Sequence, residues 1–150
     1  MRSLDPNVKM NPPLREERDR EALLDALRRG AIGCIATDHA PHARHEKEVP
    51  FEEAPFGVTG LETAFAVLHT RLVLPGSLSL ETLLERLSAG PARGLGLPEP
   101  RIEVGARANL VALDLDAEWQ VTEDGFRSLS VNSWLLGETL QGRVVRTIAD

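Results

Sequence analysis

Several things are scarce in this sequence, and each shortage excludes something. A single cysteine, Cys34, cannot form an internal disulfide; set in an apolar run, it reads as a small core side chain. There is no block of Lys or Arg, and 17 basic against 23 acidic residues leave a net charge of -6. Proteins that track phosphates depend on clustered cations, which argues against a nucleic-acid partner. No apolar run nears the about 18 residues needed to cross a bilayer. The opening Met1-Arg2-Ser3-Leu4-Asp5-Pro6 also lacks the apolar stretch of a signal peptide. The expectation is a cytoplasmic protein with no membrane partner. There is no internal repeat or low-complexity tract, and 150 residues suit one ordinary domain or two small pieces.

What is present has the rhythm of an α/β protein. Residues 14–29 carry a one-sided stripe of Ala22, Leu23, Leu24, Ala26 and Leu27, ended by Gly30, which predicts an amphipathic helix. The uninterrupted apolar run over 31–37 is too short for a helix and lacks alternation, which predicts a strand buried on both faces. Leu61, Ala64, Phe65, Leu68 and Leu72 predict a second helix, and Leu80, Leu83, Leu84 and Leu87 a third, with Ser79 as its N-cap. Beyond Pro98-Glu99-Pro100, short β-prone runs at 109–113, 118–121 and 143–148 predict a small β module. The expected division is 1–97 for the α/β part and 98–150 for the module.

Chemistry-bearing side chains concentrate in Thr37-Asp38-His39-Ala40-Pro41-His42-Ala43-Arg44-His45, where one carboxylate and three imidazoles follow the expected strand. In a parallel α/β barrel the C-terminal ends of strands carry the active site. Pro41 breaks any helix through the three histidines, so they are not a helical metal face. An ordinary exposed His-rich loop explains the cluster about as well. His69, on the second helix, reads as a structural or surface residue. A second cluster, Lys9-Met10-Asn11-Pro12-Pro13-Leu14-Arg15, fixes the backbone around Asn11, whose side chain can both donate to and accept from an amide; an Asn-Pro turn is the competing reading.

Those two clusters, in that order and at that separation, resemble the C-terminal part of bacterial dihydroorotases. These enzymes are members of the metal-dependent amidohydrolase superfamily. The resemblance continues through Phe56-Gly57-Val58-Thr59-Gly60-Leu61-Glu62, Gly90-Pro91-Ala92-Arg93-Gly94-Leu95-Gly96-Leu97 and Ala106-Arg107-Ala108-Asn109-Leu110-Val111. The last two stretches are general to the superfamily, and Asn109 stands where relatives usually have Asp. The fold implied is the last two βα units of a (β/α)8 TIM barrel plus part of a small appended β-sandwich module.

The resemblance also implies site roles. Asp38 would contact the metal and act as general base or acid. His42 would bind the substrate carboxylate, Asn11 would contact substrate, and the backbone of Phe56 and Gly57 would bond the pyrimidine ring. His39 and His45 receive no role. The implied reaction is reversible, zinc-dependent hydrolysis of (S)-dihydroorotate to N-carbamoyl-L-aspartate in pyrimidine synthesis, with one or two Zn²⁺ ions. The remaining metal ligands of the family are missing from these 150 residues, so the chain is expected to be an inactive piece that needs the rest of the barrel or a partner chain. The partners implied for the complete protein are a second copy or aspartate carbamoyltransferase. Two other readings stand beside this one: a non-catalytic dihydroorotase-like subunit, and another cyclic amidohydrolase such as a hydantoinase or allantoinase. As a family pattern, the latter lack the second histidine of the Asp38–His42 motif.

Overall fold

The structure is a computed structural model, and it describes residues 4–149. The first expected helix forms as α1, Glu17–Arg28. It begins after the proline pair, and the Glu16 N–H at its entry donates to Asp19 Oδ2 at 3.2 Å, satisfying a backbone donor that the helix itself cannot. Leu24, Ala26 and Leu27 are half-buried, whereas Leu23 of the same stripe is exposed.

Residues 31–37 depart from expectation. They form no strand, and Cys34 is exposed instead of lying in a core. A doubly buried strand needs a ladder on each edge and a layer on each face. Among the described residues the one sheet has two strands, both elsewhere in the chain. The run is held instead by its flanks, with the Ile35 N–H donating to Arg86 O at 2.9 Å. Just beyond it, His39 makes an isolated parallel bridge to Val58.

After a single helical turn α2, Arg44–Lys47, the second expected helix appears as α3, Ala64–Leu68, which widens into a π turn over His69–Val73. The Leu74 N–H reaches back five residues to His69 O at 3.0 Å. The third helix is α4, Leu80–Leu87, followed by α5, Ala89–Gly94. Ser79 caps α4 as expected: its Oγ accepts the Thr82 N–H at 3.1 Å.

The module from residue 98 onward is a long antiparallel hairpin, β1 Leu110–Gln120 with β2 Thr139–Ile148. The two expected runs at 109–113 and 118–121 belong to one strand. Its register with β2 shifts between Ala112 and Leu113 and again between Asp114 and Glu118, so the break in sequence pattern marks irregular pairing. A two-stranded sheet is what the described residues form; no sandwich is present among them.

The hairpin packs on α3 through a core of Ala66, Val121, Leu135 and Leu140, flanked by Val67, Trp119, Phe126 and Leu136. Polar contacts fix the depth of that packing. Thr70 Oγ1 accepts the Gln141 N–H at 2.8 Å, and the buried His69 places Nδ1 3.2 Å from Gln141 O while stacking on Phe65 at 5.5 Å. Of the two readings of His69, structural or surface, its burial and contacts fit the structural one. Gly142, at φ +93°, lies so close that a Cβ there would sit 3.0 Å from both Phe65 and His69. The connection between the strands, residues 121–138, crosses to the loop that follows residue 37.

Candidate active site

Asp38 stands at φ +45°, the one non-glycine positive φ among the described residues, and is exposed. A left-handed aspartate needs surrounding structure to hold it, and the neighbouring His39 provides it. His39 Nδ1 lies 3.2 Å from the Gly60 N–H and 3.1 Å from the Leu61 N–H. Both are donors, so Nδ1 is the acceptor and the proton sits on Nε2. That nitrogen donates to Ser128 Oγ at 3.1 Å, and the Ser128 hydroxyl passes on to Glu62 Oε1. Burial alone would push the Glu62 carboxyl up. The bonds from the Ser128 hydroxyl and N–H, with His39 nearby, prevail and leave it below the ordinary glutamate value.

His42 Nε2 lies 2.9 Å from Phe56 O. A carbonyl only accepts, so Nε2 carries the proton, while Nδ1 is 3.8 Å from Glu46 Oε2. Gly57 is packed beneath this ring at φ +126°: a Cβ would lie 2.6 Å from Ala40 Cβ and 2.9 Å from His42 Nε2. Only glycine fits. The Gly57 N–H donates to Lys9 O at 2.9 Å, which brings the segment before Asn11 against the same loop. Asn11 itself is exposed, at a cis bond to Pro12.

The structure thus brings His42, Phe56 and Gly57 into direct contact with Lys9 beside them, while Asn11 lies two residues further on and Asp38 immediately precedes the anchored His39. Phe56 is more than a packing residue: it is 57% exposed, with Lys9 Nζ 4.9 Å from its ring centroid. His45 lies on the exposed turn α2 and joins none of this.

Several residues that matter here carried no expectation. Lys9 is buried and donates from Nζ to Phe51 O at 2.7 Å and Glu52 O at 3.0 Å. Lys47, also buried, donates to Pro6 O at 3.1 Å and Pro55 O at 2.8 Å. Burial first, and the charge of Lys9 second, push the Lys47 ammonium below the ordinary lysine value. Together the two lysines brace the 48–56 loop against residues 6–9. Asn132 is the other surprise: it is buried, and its side-chain amide bonds the backbone of Ala40, His42 and Gly57. Its one sequence signal is the every-second spacing of Ser128, Ser130 and Asn132.

The class follows from comparison with known families: this chain belongs to the amidohydrolase family, whose model matches residues 10–147. It is 46% identical over 148 residues to the dihydroorotase of Brevibacillus brevis, covering 99% of this chain and 35% of that protein. To the dihydroorotase of Carboxydothermus hydrogenoformans it is 48% identical over 145 residues, covering 96% and 34%. Among solved structures, the L-hydantoinase (dihydropyrimidinase) from Arthrobacter aurescens superposes with a TM-score of 0.87 at 33% identity, over 97% of this chain and 34% of that one. The chain therefore spans about a third of the length of the curated relatives it matches. Its fold is that of the corresponding part of a TIM-barrel amidohydrolase.

Membership of this family implies a metal cofactor. Catalytic zinc takes three protein ligands, and among the described residues no group of three His, Cys, Asp or Glu side chains is placed to hold an ion. Asp38 offers one donor, and the described residues do not by themselves make a metal centre.

Proposed function

We propose that the complete protein carrying this chain is a zinc-dependent dihydroorotase of cytoplasmic pyrimidine synthesis, opening (S)-dihydroorotate to N-carbamoyl-L-aspartate and reclosing it. In this reading residues 1–97 supply the closing part of the barrel and 98–150 part of an appended β module. No helix among the described residues is long and apolar enough to cross a membrane. The observation that carries the reading is the contact between His42 and the Phe56–Gly57 edge.

That contact pairs one donor with one acceptor, and a ring bearing both a carboxylate and an amide N–H can exchange with each. The His42 Nε2–H passes from Phe56 O to the carboxylate, and the freed carbonyl takes the ring N–H. Neither protein group is left without a partner, so the exchange trades one hydrogen bond for two. Asn11, on the segment joined to Gly57 through Lys9 O, offers an amide to the same ring. Asp38 takes the proton of the attacking water and returns it to the leaving ring nitrogen as the C–N bond breaks, which is general base and then general acid work. The higher identity to dihydroorotases than to the hydantoinase supports the carboxylate-bearing substrate.

The test is Asp38→Asn in the complete enzyme. Turnover of dihydroorotate is expected to fall by about 10²- to 10⁴-fold, with the thermal midpoint and metal content retained. Loss of the fold with the activity would make Asp38 a structural residue, and loss of the metal would make it a metal ligand with no general-base role shown.

A further inference from the structure

Residues 121–138 connect two strands of a hairpin, and nothing in that role requires a buried asparagine. Yet Asn132, 5% exposed, turns its side-chain amide onto the site loops. Nδ2 donates to Ala40 O at 3.1 Å and to Gly57 O at 3.2 Å. Oδ1 accepts the His42 N–H at 3.1 Å and the Ser130 hydroxyl at 2.6 Å. The Ser130 hydroxyl also contacts His42 O, and Asn132 O accepts the Thr59 N–H at 3.0 Å. One planar amide therefore ties the backbone just before His42, at Ala40 O and the His42 N–H, to the carbonyl of Gly57.

We propose that Asn132, supported by Ser130, is a positioning residue that fixes the spacing between the carboxylate-binding and ring-binding groups. It rests on the dihydroorotase reading above. Two carbonyls and one N–H converge on the site, so the group between them must offer two donors and one acceptor. A primary amide does. An aspartate of the same shape sets a second acceptor against the Ala40 and Gly57 carbonyls and drives the two loops apart. Asp38 is held independently, through His39 on Gly60, Leu61 and Ser128, so the damage falls on binding.

In the complete, metal-loaded enzyme, Asn132→Asp is expected to raise KM for dihydroorotate by about ten- to a hundredfold, with kcat changed less than about threefold. Ser130→Ala, which removes one hydroxyl and leaves the amide in place, is expected to raise KM in the same direction by a smaller factor. Thermal midpoints report folding, and if Asn132→Asp does not fold, Ser130→Ala decides. Unchanged KM in the folded variants, or a loss confined to kcat, overturns the inference while the reaction stands. Failure of both variants to fold overturns it too, making these residues scaffold. Wild-type enzyme inert toward dihydroorotate, visible before any variant is measured, overturns the reading of the reaction and this substrate assignment with it.

Discussion

Gly57 shows how much one residue is asked to do. Its positive φ and the 2.6 Å that a Cβ would leave to Ala40 close the position to every side chain. Gly57→Ala in the complete protein is expected to cost about 1–3 kcal/mol from the backbone conformation alone. The His42 ring should also be pushed off Phe56 O. Urea unfolding and KM for dihydroorotate measure the two effects, and an alanine variant with both unchanged would refute the close approach. At this scale the sequence marked the Asp38–His45 cluster as chemistry-bearing from its residue types, while the roles of Asp38, His42, Phe56 and Gly57 came from the family resemblance and stay proposals; the structure shows His42 bonded to Phe56 O and packed on Gly57. His39 and Asn132 gave no sign of what they anchor. Their partners are backbone groups 21 to 92 residues away in sequence, and no local pattern encodes such pairings.

Helices were readable because their signals are local: the stripe of α1, the serine cap of α4 and the spacing behind α3 each act within a few residues. The widening of α3 into a π turn was not, since it serves the Thr70 and His69 contacts with Gln141 on a strand far along the chain. The run over 31–37 has the composition of a doubly buried strand, but that state belongs to neighbours that the described residues do not supply. The junction between α3 and the hairpin connection carries a testable charge. Glu62 is held below its ordinary value, so its carboxylate stabilises the folded state fully above about pH 4.3, the unfolded glutamate value. That contribution is lost as pH falls from there through the lowered folded value. Glu62→Gln is expected to flatten the acid limb of stability against pH, measured by denaturant titration of the complete protein from about pH 3.5 to 7. An unchanged acid limb would mean that the Ser128 bonds contribute nothing to the carboxylate form.

The molecule as a whole couples its two parts through polar contacts as well as a core. Val121, Leu135 and Leu140 pack on Ala66, while Ser128, Ser130 and Asn132 reach from the hairpin connection into the site loops. The division near residue 98 marks a change of texture, and the functional groups are assembled across it. Large apolar side chains such as Leu14, Leu61, Val111 and Val145 are exposed here, and the relatives are about three times as long. With no three-ligand metal group among the described residues, the 150 residues alone are expected not to turn over dihydroorotate; turnover by that purified chain would contradict the placement of the metal ligands outside it.

The proposed dihydroorotase reaction requires a site that favours a ring carrying a carboxylate. Its most direct test is steady-state turnover by the complete natural protein, purified with its metal, of dihydroorotate beside dihydrouracil, the same ring without that group. Efficient opening of dihydroorotate to N-carbamoyl-L-aspartate and feeble opening of dihydrouracil are expected. Equal or preferred turnover of dihydrouracil, with dihydroorotate left intact, would contradict the proposed reaction.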